Sequence, residues 1–305
     1  MHQGFGIDIG RSGVKISTST ADMGIIPAVA TPSVPIDDPD EAARADIETV
    51  RVRGRNWFFG NTAIVQAAPE PGLHSEFHRT EEYEALVAGA IKSVTRGDPV
   101  VIVGGLPSEA SPDDRELVRQ TFYRHAPAGS TVKIIAQPVG ALFSAVSKDR
   151  QLVDLTVAVV DIGRYSTDMT VSRSFRQVQG ALKSAPGVRL AADALWSSIR
   201  RDVSGTPSFD RLETALRTGV LRHAMREHDV RAEAATAKGA LQAEVNRAIH
   251  ALSTQMKGQI DVVVLAGGGA DLIKIDVPFV LAPWGRHAVS RGFALSAEQI
   301  AKNGG

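Results

Sequence analysis

Two short stretches of this sequence carry residues of a type and spacing that could do chemistry. Leu155–Val171 (LTVAVVDIGRYSTDMTV) and Gly4–Thr18 (GFGIDIGRSGVKIST) each read as an apolar strand, a tight turn and a second strand. They share the tetrapeptide Asp-Ile-Gly-Arg, at Asp8–Arg11 and again at Asp161–Arg164, about half the chain apart. An acid at the end of an apolar strand is costly unless a ligand or metal meets it there. The glycine that follows lets the backbone come close to a ligand and adopt positive φ, which costs other residues about 1–2 kcal/mol. Amides around such a turn can point at phosphate oxygens, each charge-assisted bond contributing about 1.5–3 kcal/mol. The acid itself repels phosphate but suits Mg2+, held largely through water because that ion keeps several of its waters. A single Asp-x-Gly turn is more simply an ordinary hairpin. Its recurrence in the same setting favours two turns clasping a polyphosphate with a metal between them. Lys15, on the second strand of the first hairpin, is placed to reach back and neutralise phosphate charge.

Two further positions join these candidates. Gly267-Gly268-Gly269 follows a buried strand; it reads either as a flexible strand–helix turn or as a platform for the sugar and base of a nucleotide. Gln137 opens a helix just beyond a strand end, where it can orient a water towards a γ-phosphate or serve only as a polar helix start. There is no Walker A spacing around Gly10–Lys15 and no Rossmann fingerprint. None of the 8 histidines shows metal-ligand spacing; His74 and His78 are expected in a surface loop.

The elements that must position these residues form an α/β pattern. Strands are expected at Gly4–Ile9, Val14–Thr18, Val100–Val103, Val132–Ile135, Thr156–Val160, Asp168–Ser172, Ile260–Leu265 and Val277–Leu281. Residues 83–94 carry an apolar stripe at three- and four-residue spacing, the mark of a helix packed on a sheet. Ser111-Pro112-Asp113-Asp114 is a helix start, with a cap, a proline at the first position and acids in the first turn. Further helices are expected at 137–148, 188–203, 209–218, 232–256 and 286–301. Residues 20–80, punctuated by Pro27, Pro32, Pro35 and Pro39, read as a loop-rich subdomain in which only short strands such as Arg51–Val52 and Asn56–Phe59 stand out, with the charge run Asp37–Glu41 a solvated loop. The expected organisation is one domain of residues 1–145 with 286–305, and a second of residues 146–285, with a frayed Gly304–Gly305 tail.

Composition limits the function. With 34 basic and 34 acidic residues the formal net charge is +0, which argues against direct binding of nucleic acid or anionic lipid by bulk electrostatics. The absence of cysteine excludes thiol catalysis, disulfides and thiolate metal sites and points to a reducing cytoplasm. No apolar run has the length of a membrane span, no basic-then-apolar leader opens the chain, and neither end reads as a membrane anchor.

At these residues the sequence resembles the actin/Hsp70/sugar-kinase superfamily. Asp8-Ile9-Gly10…Lys15 is similar to its first phosphate motif, Asp161-Ile162-Gly163…Thr167-Asp168 to its second, and Leu265–Gly269 to its adenosine motif. Gln137-Pro138-Val139-Gly140-Ala141 resembles the connecting helix that carries a water-positioning Gln or Glu. Gly105-Leu106-Pro107 and Arg291-Gly292-Phe293 resemble the ParM/StbA actin-like type. The resemblance implies a two-lobed actin-like (ribonuclease H-like) fold with MgATP in the interdomain cleft, GTP being the alternative nucleotide. It implies an ATPase whose hydrolysis is coupled to homopolymer filaments, as in plasmid segregation with a DNA-binding adaptor protein. A non-polymerising nucleotide-binding scaffold, or a small-molecule kinase, is the alternative. By residue, it implies Asp8 and Asp161 on Mg2+ and its waters with Asp168 nearby. Gly10, Ser12, Lys15 and Gly163 would hold phosphates, Gln137 the attacking water, and Gly267–Gly269 the adenosine. Two departures stand out: Arg11 and Arg164 occupy hairpin tips where the family carries small residues, there either to contact phosphate or to face solvent. Val289 replaces the Asn often found before Arg-Gly. Glu213 is the candidate on the base-binding helix, or else an exposed helix residue.

Overall fold

The structure, a computed structural model, describes residues 2–67 and 76–303; the expectations for His74 and for Gly304–Gly305 lie outside these. The chain divides into two compact units, Met1–Ser144 with His287–Gly305, and Ala145–Arg286.

The first unit opens with β1 (Gln3–Gly10), β2 (Gly13–Ser17) and β3 (Asp22–Ile26). β1 and β2 join through the two-residue turn Arg11-Ser12, with Gly10 opposite Gly13 and Asp8 opposite Lys15. The expected short strands at 51–52 and 56–59 fall within β5 (Thr49–Val52) and β6 (Arg55–Phe59), but the region is less loop-rich than expected: it also forms β4 (Ala30–Pro32), α1 (Pro39–Ile47) and α2 (Gly60–Ala67), with the strands in the order β4-β6-β5. Strands of three to five residues are too short to show alternation, so what gives this sheet away is the buried Trp57, Phe58 and Phe59. The charge run 37–41 is not a loop either. It is the start of α1, with Asp38 capping the Glu41 amide at 2.9 Å and Pro39 at the first position, the cap-proline-acid grammar of a helix N-terminus.

Next come α3 (Glu81–Val94), β7 (Val100–Leu106), α4 (Pro112–His125), β8 (Thr131–Ala136) and α5 (Gln137–Lys148). α4 begins where its cap predicts, with a complete capping box between Ser111 and Asp114. The main sheet has the order β3-β2-β1-β7-β8, with β7 parallel to both β1 and β8.

The second unit repeats that plan. β9 (Thr156–Ile162), β10 (Ser166–Arg173) and β11 (Arg176–Pro186) form the antiparallel part. Then follow α6 (Val188–Ile199), α7 (Phe209–Thr218), the hairpin β12 (Val220–His223) and β13 (Arg226–Asp229), α8 (Arg231–Gln255), β14 (Val262–Ala266) and β15 (Phe279–Leu281). Its sheet order, β11-β10-β9-β14-β15, with β14 parallel to β9 and β15, is the order of the first sheet over again. β11 and the β12–β13 hairpin carry mostly exposed polar residues, so no apolar period announces them.

The chain returns to the first unit as α9 (Ala288–Lys302). Its Arg291-Gly292-Phe293 triplet is explained by packing. A methyl group on Gly292 would collide with the Gly140 carbonyl, one on Gly6 with the Ser290 carbonyl, and the Phe293 ring fills the space over Gly105 and Gly140. Arg291 binds the Thr18 carbonyl at 2.9 Å and lies 3.3 Å from Asp22. α9 is thereby seated directly on β1, the strand that carries Asp8.

α3 is tied to the small sheet and to α4 through one buried carboxylate. Glu84, 2% exposed, accepts from Arg53 at 3.0 Å, from Arg124, and from His125 at 3.3 Å. Burial pushes the Glu84 carboxyl up, but its hydrogen bonds outweigh that and leave its pKa below the ordinary value. Burial pulls the His125 pKa down, against the opposing pull of Glu84. Both native values lie below the unfolded ones, so each group's contribution is complete above its unfolded pKa and is lost as pH falls. Acidification from pH 7 to pH 5, through the unfolded histidine value of about 6.5, is expected to lower Tm, and His125→Gln to remove that part of the dependence. Glu84→Ala is expected to cost about 2–3 kcal/mol, the range for lost hydrogen bonds to a charged group, read from urea unfolding. An unchanged unfolding midpoint would show that the network does not hold these elements together.

Candidate functional site

In the first unit the buried interior of β1 runs from Phe5 to Ile9 and includes Asp8, which is 4% exposed. A carboxylate so enclosed stays charged only if paired and hydrogen-bonded. The β1–β2 register sets Lys15 directly across from it, with Nζ 3.3 Å from Oδ2. The Lys15 ammonium lies over Gly10, where a methyl group would stand 2.6 Å from it. Gln137, the first residue of α5, donates Nε2–H to Asp8 Oδ1 at 2.8 Å. The carboxylate accepts only, so the amide must turn its NH2 towards Asp8, which leaves Oε1 to accept from a water or ligand. Asp8, Lys15, Gly10 and Gln137 are thus gathered in one place. Tyr83 was not singled out from the sequence. Its phenol is buried without a hydrogen-bond partner, and burial, with the charge of Asp8 second, pushes its pKa up so that it stays neutral. Ser12 shares the turn with Arg11, whose guanidinium lies 5.9 Å from the centre of the Phe77 ring. That ring meets Tyr83 edge-on at 5.5 Å.

In the second unit the same frame returns with different charge. Asp161 on β9 has Asp168 as its direct cross-strand partner on β10, the position that Lys15 holds in the first hairpin. Like charges across a ladder destabilise a sheet unless they are compensated, so the second hairpin sets two carboxylates where the first sets a carboxylate against an ammonium. Ser166 and Ser184 hydroxyls donate to Asp168 at 3.2 and 3.5 Å. The tip is Arg164-Tyr165, closed by Gly163 N–H to the Ser166 carbonyl at 2.9 Å. The carbonyls of Gly163, Arg164 and Tyr165 accept from the amides of Val188, Arg189 and Gly187, so the turn is fixed to the start of α6.

The glycine run is packed against this turn. Gly267 has φ +88°, and a methyl group there would come within 2.4 Å of both Asp161 Oδ1 and the Ile162 carbonyl. Gly269 donates its N–H to Ile162 O at 2.9 Å. Gly268 offers its carbonyl to Arg217 at 2.5 Å. Glycine is therefore required because the end of β14 passes directly beside the Asp161 turn.

Neither tip arginine simply faces solvent. Arg164 is folded onto α7, 2.5 Å from Asp210 and 3.7 Å from Glu213, with its guanidinium 4.4 Å from the Phe209 ring centre. Glu213 is correspondingly not an exposed helix residue: its side chain is 14% exposed and held also by Arg217 at 3.1 Å. Arg217 could have been suspected from its i+4 spacing to Glu213, but Phe209 and Asp210 carry no such signal. His78, expected on a surface loop, lies in a short 3-10 turn and is 2.8 Å from Asp114. Among the described residues no cluster of three or more His, Asp or Glu could hold a metal ion by itself.

Residues 6–140 match the family model described as the N-terminal domain of actin-like proteins, and residues 159–277 that of the archaeal actin homologue MreB-like C-terminal domain. No curated protein sequence matches the chain. Among solved structures, a 15-stranded ParM filament from Clostridium botulinum is 17% identical over 98% of this chain and 100% of its own, with a TM-score of 0.75. An archaeal actin homolog in complex with ADP is 17% identical over 99% of each chain (TM-score 0.70). The MamK double helical filament is 17% identical over 96% of this chain and 98% of its own (TM-score 0.72). With an actin-like family matched in each unit and the two-domain fold of these neighbours, the chain belongs to the actin-like superfamily.

Proposed function

We propose that this chain is a nucleotide-dependent, filament-forming ATPase. The observation that carries the proposal is the repeated Asp-x-Gly hairpin. One copy gathers Asp8, Lys15 and Gln137, and the other sets Asp161 across from Asp168 beside a glycine run. The nucleotide is ATP, with GTP the alternative. Lys15, Gly10, Ser12 and Gly163 meet the phosphates, and Gly267–Gly269 with Glu213 meet the nucleoside. Gln137, its amide fixed by Asp8, holds the attacking water at Oε1 in line with the γ-phosphate; such positioning needs no strong base. The carboxylates of Asp8 and Asp161 suit Mg2+ held through its waters, with Asp168 alongside Asp161. When bound, that ion neutralises charge on the phosphate oxygens.

Filament formation is supported by neighbours that are themselves filaments and by the rule that an asymmetric contact which does not close on itself yields an open polymer. The finer reading is a cytoplasmic, cytomotive protein of the ParM plasmid-segregation type. Its partners would be further copies of itself and a DNA-binding adaptor, with no direct hold on nucleic acid or membrane. No helix among the described residues is long and apolar enough to cross a membrane.

Light scattering with ATP, ADP and a non-hydrolysable analogue, run beside phosphate release, is expected to show assembly with ATP. Nucleotide turnover without assembly would replace the filament reading by that of a scaffold. Asp161→Ala is expected to abolish Mg2+-dependent turnover; unchanged turnover would remove Asp161 from the site. Gln137→Ala is expected to slow hydrolysis about 100-fold, the order of a misplaced reacting group, with nucleotide affinity retained. Loss of affinity instead would assign Gln137 a structural role.

A further inference from the structure

Three segments of the second unit with proposed nucleotide roles are joined by one chain of charged side chains. It starts at Arg164, whose side chain is only 9% exposed although it sits at a hairpin tip. The guanidinium reaches Asp210 at 2.5 Å and Glu213 at 3.7 Å, both in the first two turns of α7. Its Nε is buried without an acceptor, and the group rests on the Phe209 ring. Tyr165, the other tip residue, stacks on the same ring at 6.4 Å. Glu213 then accepts from Arg217 at 3.1 Å, and Arg217 reaches the Gly268 carbonyl and Asp271, both at 2.5 Å. Turn, helix and glycine run are linked in sequence by Arg164, Glu213 and Arg217.

We propose that Arg164 is a positioning residue, a clamp that fixes the Asp161–Gly163 turn to α7 rather than a ligand of phosphate. Both of its carboxylate partners lie on α7, and its aromatic contact is the first residue of that helix. A small residue at the tip would take away the turn's ion pairs to α7. Lysine would not replace it, because a single ammonium cannot span two carboxylates while lying flat on an aromatic ring. Through Glu213 and Arg217 the same clamp sets the distance from the turn to Gly268, so loosening it disturbs both regions.

This inference rests on the nucleotide reading of the turn, and its test separates the two. Arg164→Ala, Arg164→Lys, Asp210→Ala and the double replacement Arg164→Ala/Asp210→Ala are compared with the natural chain. Two readouts are used: amide hydrogen exchange at residues 163–166, and titration with a fluorescent ATP analogue. The clamp predicts exchange about tenfold faster in each variant, and affinity for the analogue weakened by a similar factor. The double variant should be no worse than Arg164→Ala, since groups in one network are not additive. A direct phosphate contact predicts the reverse for the acid: removing Asp210 would leave affinity unchanged or tighter while Arg164→Ala weakens it, and that result overturns the clamp. Unchanged exchange in all variants, or a lower Tm with the turn unaffected, overturns it as well. If the natural chain binds no analogue, the nucleotide reading fails, and the exchange arm still decides the clamp.

Discussion

A charge within a buried strand is the constraint from which the first unit is built. Asp8 cannot be solvated where it lies, so its ionisation requires a counter-charge and hydrogen-bond donors at fixed places. Lys15 supplies the charge, and it can do so because a two-residue turn brings β2 back in the register that sets residue 15 across from residue 8. Gln137 supplies the second donor, which fixes where α5 must begin relative to β1. α9 in turn must lie on β1 closely enough that no side chain fits at Gly6. β2 and α5 thus meet at one carboxylate, and α9 packs on the strand that carries it.

The second unit uses the same strand order and the same turn but answers the charge differently. Where the first hairpin pairs acid with base, the second pairs acid with acid across the ladder. The two units thus differ by one residue type at an equivalent position of the same frame, a lysine in one and an aspartate in the other. The glycine run belongs to the same logic, since a side chain at Gly267 would displace the Asp161 carboxylate.

Charged side chains tie the elements of each unit together. In the second unit Arg164 and Arg217 pair with Asp210 and Glu213 of α7. In the first unit the buried Glu84, with its two arginines and a histidine, holds α3 to the small sheet and to α4. Such networks are strong only when every member is satisfied, which links the position of Tyr83 on α3, and hence the environment of Asp8, to residues far from it in sequence.

The sequence by itself determined the elements whose signals are local. α4 starts at its Ser-Pro-Asp-Asp cap and α7 spans Phe209–Thr218, because capping and apolar period act within a few residues. It also determined the repeated Asp-x-Gly turns, since a strand-turn-strand unit is complete in about fifteen residues. Only the tertiary structure decided the rest. The short β4, the polar β11 and the β12–β13 hairpin are stabilised by partners outside their own windows, whereas the cores of β5 and β6 were already legible. Likewise the direction of the Gln137 amide, the docking of Arg164 on α7 and the cross-strand identity of Lys15 and Asp168 follow from register and packing. Spacing along a chain fixes which residues can be neighbours within one element, but which charges meet across elements is set by how the elements pack.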